Sequence, residues 1–89
     1  MKKKLKNKFE KPVRHPIPKI PPEGYLKINQ RSRCGQAIYF NKKTKIYITP
    51  DVDQHNGGYW KVAYSPDALN SKSTRLGTYN KDLSKRIGD

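Results

Sequence analysis

The chain has 89 residues, with 20 Lys and Arg against seven Asp and Glu, a formal net charge of +13, and one cysteine. That length supports one thin-cored domain, and a lone Cys34 excludes an intrachain disulfide or a cysteine-based metal cluster. No apolar run exceeds four residues, too few for a membrane-spanning helix, and the early lysines lead into none of the apolar stretch a secretory signal needs.

Residues 1–33 carry eleven basic and two acidic residues, and five of the seven prolines fall at positions 12, 16, 18, 21 and 22. Each proline removes a backbone donor and disfavours helix at the residue before it. Residues 1–23 are therefore expected to be a basic, proline-rich, largely disordered leader, and residues 24–89 the folded domain. Tyr25, Leu26 and Ile28 form the first short helix or strand.

Beyond that point the pattern is mostly β. Residues 37–40 read as a strand, and residues 41–44 (Asn-Lys-Lys-Thr) as a polar turn. Residues 45–49 alternate, with Ile46 and Ile48 on one face, before Pro50 ends the run. The two runs predict a hairpin. Residues 51–58 form a polar loop closed by Gly57-Gly58, a pair that permits unusual backbone angles or a close approach. Residues 59–64 predict a further strand, with Trp60 and Val62 on one face and Lys61 and Ala63 on the other. Ser65-Pro66-Asp67 then caps a short helix or makes a turn. Residues 75–79 are a last possible strand, and residues 81–87 a short polar helix or tail. Trp60, Tyr39 and Phe40 are expected in the core, leaving Tyr47, Tyr59 and Tyr79 as candidates for stacking on bases.

A chain this basic attracts polyanions and gains affinity by releasing counterions from phosphates. An anionic membrane surface is the rival target, but it calls for a basic amphipathic helix, and none is visible. The densest candidate site is the loop from Asp51 to Gly58, which holds Asp51, Asp53 and His55 and leads into Lys61. Histidine exchanges protons near neutral pH, and RNA cleavage without a metal needs an acid, a base and cations around the phosphate. The bland readings are an exposed loop histidine and two turn-forming aspartates; Asp51, Asp53 and His55 as metal ligands is a further alternative. A second patch, residues 71–79, joins small hydroxyls to Lys72 and Arg75, a combination suited to phosphate or to a plain solvated loop.

The run Tyr-Phe-Asn-Lys-Lys-Thr-Lys-Ile-Tyr-Ile-Thr-Pro-Asp-Val-Asp-Gln-His-Asn-Gly-Gly-Tyr-Trp-Lys at 39–61 and Ser-Thr-Arg-Leu-Gly-Thr-Tyr at 73–79 resemble the C-terminal toxin domains of bacterial polymorphic and contact-dependent growth inhibition toxins, of the novel toxin 21 type. The resemblance implies an α+β, barnase/colicin-like ribonuclease fold, a small antiparallel sheet with short N-terminal helices drawn from residues 24–36. It implies metal-independent cleavage of RNA, often tRNA, without a cofactor. It also implies delivery at the tip of a larger secreted or cell-surface effector, action in the target-cell cytoplasm, and neutralisation by an acidic immunity protein. By the same resemblance His55 is the acid or base, and Lys61, Thr74, Arg75 and Tyr79 are phosphate or transition-state contacts. Lys45, Tyr47, Tyr59, Lys72 and Ser73 are the expected RNA-binding residues. A non-catalytic RNA- or ribosome-binding module and a DNA-directed domain remain as alternatives.

Overall fold

The computed structural model describes residues 16–54 and 57–89. Six strands follow one another in space in the order they occur in the chain, forming one antiparallel sheet: β1 (Tyr25–Arg31), β2 (Ala37–Asn41), β3 (Ile46–Pro50), β4 (Trp60–Ala63), β5 (Gly77–Tyr79) and β6 (Arg86–Gly88). Every pairing joins neighbours in the chain, so no closure spans more than the thirteen residues between β4 and β5.

The predicted hairpin is present as β2 and β3, with Phe40 opposite Tyr47 and Tyr39 opposite Ile48. Its tip is held by Asn41, whose Oδ1 accepts the Lys43 and Thr44 N–H groups at 2.8 and 3.1 Å. Its last residue, Lys45, takes a left-handed backbone angle (φ 63°). Ser65 caps the predicted short helix, its Oγ accepting the Ala68 N–H at 3.1 Å. That helix is a single 3₁₀ turn, Asp67–Asn70.

Two expectations are corrected. The N-terminal helices expected within residues 24–36 are absent. Tyr25–Arg31 is strand β1, and residues 32–36 make the turn into β2, closed by Gly35 N–H to Ser32 O at 2.8 Å. Thus no α-helix fronts the sheet among the described residues, and the barnase/colicin-like arrangement is matched only by a small antiparallel sheet. The pairing with β2 decides this: Leu26 sits opposite Phe40 and Lys27 opposite Tyr39, and cross-strand pairing overrides weak local preference. Residues 81–87 form a turn and then β6 instead of a helix. Asn80 Oδ1 accepts the Lys85 N–H, and Leu83 adopts φ 64° within the turn.

Alternation along the strands divides the apolar side chains between two faces. One face holds Tyr39, Ile48, Trp60 and Val62, with Tyr25, Ile46, Leu76, Tyr79 and Leu83 against them. Trp60, 1% exposed, meets Tyr39 edge-on at 5.9 Å between ring centroids, and its Nε1 donates to Lys81 O at 3.0 Å. An aromatic contact of this geometry adds about 0.5–1.5 kcal/mol to the area it buries. The other face holds Ile38 and Ala63, covered by Leu69 of the short helix, with Ile28, Tyr47 and Ala68 around them. Phe40 packs into neither cluster, so the expected core trio reduces to Trp60 and Tyr39.

Of the leader, the described residues 16–23 form no strand or helix. They lie along the first face, where Lys19 O accepts the Tyr39 hydroxyl at 3.2 Å.

Candidate functional site

On the face covered by the short helix, Thr49, Lys61 and Thr78 stand side by side across β3, β4 and β5, because Thr49 pairs with Lys61 and Lys61 with Thr78. At this end of the sheet lies a cleft of about 450 Å³, lined by Asp51, Asp53, Lys61, Lys72, Arg75, Thr78 and Asp89. It gathers three cations and three carboxylates from four separate stretches of chain.

Asp51 follows β3 and is buried. Its Oδ1 accepts the Gln54 N–H at 3.3 Å, and its own N–H donates to Tyr59 O at 2.8 Å. The aspartate thus closes the loop like a clasp. Gln54 takes a left-handed angle (φ 51°), and Gly57 another (φ 76°). Gly58 serves a different purpose: a Cβ there would lie 2.2 Å from Thr78 Cγ2 and 3.4 Å from Asp51 Oδ2. The diglycine therefore combines one unusual backbone angle with one close approach, and the close approach is to the wall of the cleft.

Arg75 is committed to the backbone. Its Nε and Nη2 donate to Asp89 O at 3.2 and 3.0 Å, and its Nη1 donates to Leu69 O at 3.1 Å. One guanidinium so ties the short helix to the end of β6, while the remaining N–H groups border the cleft. The Asp89 carboxylate is neutralised by Arg86 at 2.9 Å, the one ion pair among the described residues. Lys61 and Lys72 form no ion pair among the described residues. Asp53 is exposed at the cleft's mouth.

The structure places Lys61, Lys72 and Arg75 in one cleft with Asp51 and Asp53 of the neighbouring loop. His55 lies outside the described residues. Thr74 is turned elsewhere: its hydroxyl bonds Ala68 O and Ser71 O at 2.8 and 3.2 Å and lines a separate hollow with Arg33 and Asn70. Ser73 is exposed and shares a 3.0 Å hydrogen bond with Ser71. Tyr79 pairs with Trp60 and belongs to the opposite face. Tyr59 borders a groove with Pro21, Pro22 and Lys81. Lys45 and Tyr47 are on the β2–β3 hairpin, outside the cleft.

Thr78 falls within the 71–79 patch without being singled out, and the sequence reading does not include Asp89. Thr78 was recoverable, because strand alternation puts it, and not Tyr79, on the face of Lys61 once the two strands are paired. Nothing local marks Asp89.

No solved structure matches the chain. A stretch of 52 residues, 57% of this chain, is 40% identical to a protein of Enterobacter cloacae subsp. cloacae named 16S rRNA endonuclease CdiA, of whose length it covers 1%. The sequence profile of the family described as Novel toxin 21 matches residues 19–89, which span all six strands and the whole cleft. The chain belongs to the Novel toxin 21 family, a polymorphic-toxin domain of the contact-dependent inhibition type.

Proposed function

We propose that this domain is an RNA endonuclease toxin whose active centre is the cleft between the Asp51 loop and Arg75. The observation that carries the reading is the meeting of two lysines, Lys61 and Lys72, that form no ion pair among the described residues, with the exposed carboxylate of Asp53 in one concave site. Cleavage by 2′-hydroxyl attack needs a base at that hydroxyl, an acid at the departing 5′ oxygen, and positive charge at the phosphate. Asp53 and His55, two residues apart in the chain, supply the proton-transfer pair. Lys61 and Lys72 stabilise the pentavalent phosphate. Arg75 is a positioning residue that holds the cleft's two sides together, and Asp51 fixes the loop carrying Asp53 and His55.

The name of the Enterobacter relative favours ribosomal RNA as the substrate over the tRNA expected from the sequence. The same relative, of which this chain covers a small part, supports delivery as part of a larger effector into a target cell, and we place its action in that cell's cytoplasm. The charge of +13 favours an acidic immunity protein as the neutralising partner.

The test is to incubate the chain with intact ribosomes and, separately, with total tRNA, and to sequence the RNA ends. One discrete cut in 16S rRNA is expected, while discrete tRNA fragments would restore the tRNA reading. His55→Ala, Asp53→Asn and Lys61→Ala should each lower kcat by about 10²-fold or more, with RNA affinity much less affected. Cleavage should persist in EDTA. Full activity in all three variants would remove the cleft from the chemistry.

A further inference from the structure

We propose that the β1–β3 end of the helix-covered face is a second RNA-contacting surface, a stacking platform separate from the cleft. Leu26, Phe40 and Tyr47 form a continuous row across three strands, since Leu26 pairs with Phe40 and Phe40 with Tyr47. Leu26 is 67% exposed. Phe40 joins neither core cluster and rests on Tyr47 at 4.5 Å between ring centroids, with the planes tilted by 31°. Phe40 and Tyr47 are half-buried and Tyr47 also backs onto the Ile38, Ala63 and Leu69 cluster, so the row is a supported apolar surface whose outer edge, from Phe40 to the exposed Leu26, is left for a ligand.

The surroundings select the occupant. Beside the row is an open hollow of about 440 Å³ lined by Glu23, Gly24, Leu26, Asn41, Lys42 and Lys43. Lys42, Lys43 and Lys45 are all exposed on the hairpin tip, and none forms an ion pair among the described residues. The Asn41 hydrogen bonds hold that tip in one shape, so its cations are presented with little ordering cost. Aromatic faces edged by unpaired lysines suit unstacked bases and their phosphates. An apolar partner helix would leave those lysines stranded, and a duplex would offer no free base faces.

The platform shares its sheet face with the cleft. Tyr47 lies on β3 and Asp51 is the residue that follows the strand, four positions on and about 13 Å away if the extended spacing continues, so one RNA molecule can engage both. The row therefore works as an anchor that captures a single-stranded segment flanking the cut phosphate. The proposal rests on RNA being this domain's substrate, and its experiment separates the two.

Binding of the full chain is measured by fluorescence anisotropy on 2′-O-methylated single strands, which lack the attacking hydroxyl, of about 16 and about 4 nucleotides. Phe40→Leu keeps an apolar side chain but loses the ring, and should weaken binding of the longer strand about tenfold, with a much smaller effect on the shorter. Lys42→Ala combined with Lys43→Ala should lower the slope of log affinity against log salt by about 1.4, the value for two lost phosphate contacts on a single strand. Thermal melts matching the parent show that both variants fold. Parent-like affinity and salt slope in both folded variants would overturn the platform. So would unchanged RNA binding with lost binding to polyglutamate, which reassigns the surface to an acidic protein. A parent chain that binds the longer strand but leaves natural RNA intact removes the endonuclease reading and keeps the platform. A parent that cuts RNA while the variants bind normally does the reverse, and one that binds neither strand removes both.

Discussion

Adding one methyl group at position 58 tests how the cleft wall is built. A Cβ at Gly58 would lie 2.2 Å from Thr78 Cγ2, far inside van der Waals contact, while the next neighbours, Asp51 Oδ2 and Thr78 Cβ, are both at 3.4 Å. Thr78 cannot easily yield, because it is 4% exposed and its strand is paired on both sides. Overpacking of this kind costs about 1–3 kcal/mol. For a domain of this size that lowers Tm by about 4–8 °C per kcal/mol. The clash involves one methyl, so Thr78→Ser should relieve it in the Gly58→Ala background and leave ordinary contacts. Thr78→Ser alone removes a buried methyl and costs about 0.5–1.5 kcal/mol. The double variant should therefore be more stable than the sum of the singles predicts, by about 1 kcal/mol or more. Urea unfolding of the four proteins closes the cycle. A Gly58→Ala protein as stable as the parent, or singles that simply add, would refute the close-approach argument.

Gly57 differs in kind: its Cβ would meet nothing within 4 Å, but its φ is 76°, so Gly57→Ala should cost about 1 kcal/mol from backbone strain alone, and Thr78→Ser should not rescue it in the same urea series. Arg75→Lys keeps the charge but loses the fork that reaches both Asp89 O and Leu69 O; chemical unfolding should show a loss of about 1–2 kcal/mol. Thr49→Val deletes the 2.8 Å hydrogen bond that the buried Thr49 hydroxyl donates to Ala37 O, a loss of about 0.5–1.5 kcal/mol readable as a lower urea midpoint. The Ser84 hydroxyl, and then its backbone N–H, hold the Asp82 carboxyl below its ordinary range. Ser84→Ala should raise that pKa in an NMR titration. Because the folded-state value is the lower one, its stabilisation exists above the unfolded carboxylate pKa of about 3.9 and is lost as pH falls through the folded value. Parent and variant should accordingly converge in acid.

Much of this protein is legible along single segments. The β2–β3 hairpin follows from two apolar runs around a polar turn, β4 from its alternation, and the short helix from Ser65-Pro66-Asp67, because each depends on residues within a few positions of one another. For residues 24–36 the local pattern left helix and strand open and the family resemblance implied helices: the conformation is set by pairing with β2, and an exposed edge strand carries too few apolar residues to announce itself. The candidate site divides similarly. Lys61, Lys72 and Arg75 stand out by chemistry, yet the sequence cannot show that Thr74 satisfies the carbonyls of Ala68 and Ser71.

Charge, strand periodicity and family can be read along the chain: a cationic domain of mostly β structure with candidate site residues near 51–61 and 71–79. Tertiary structure alone decided which of those side chains share a face. Thr78 and Tyr79 are adjacent in the chain but lie on opposite sides of the sheet, one beside Lys61 in the cleft and the other beside Trp60 in the core. Alternation makes that choice binary, and only the register between β4 and β5 sets it.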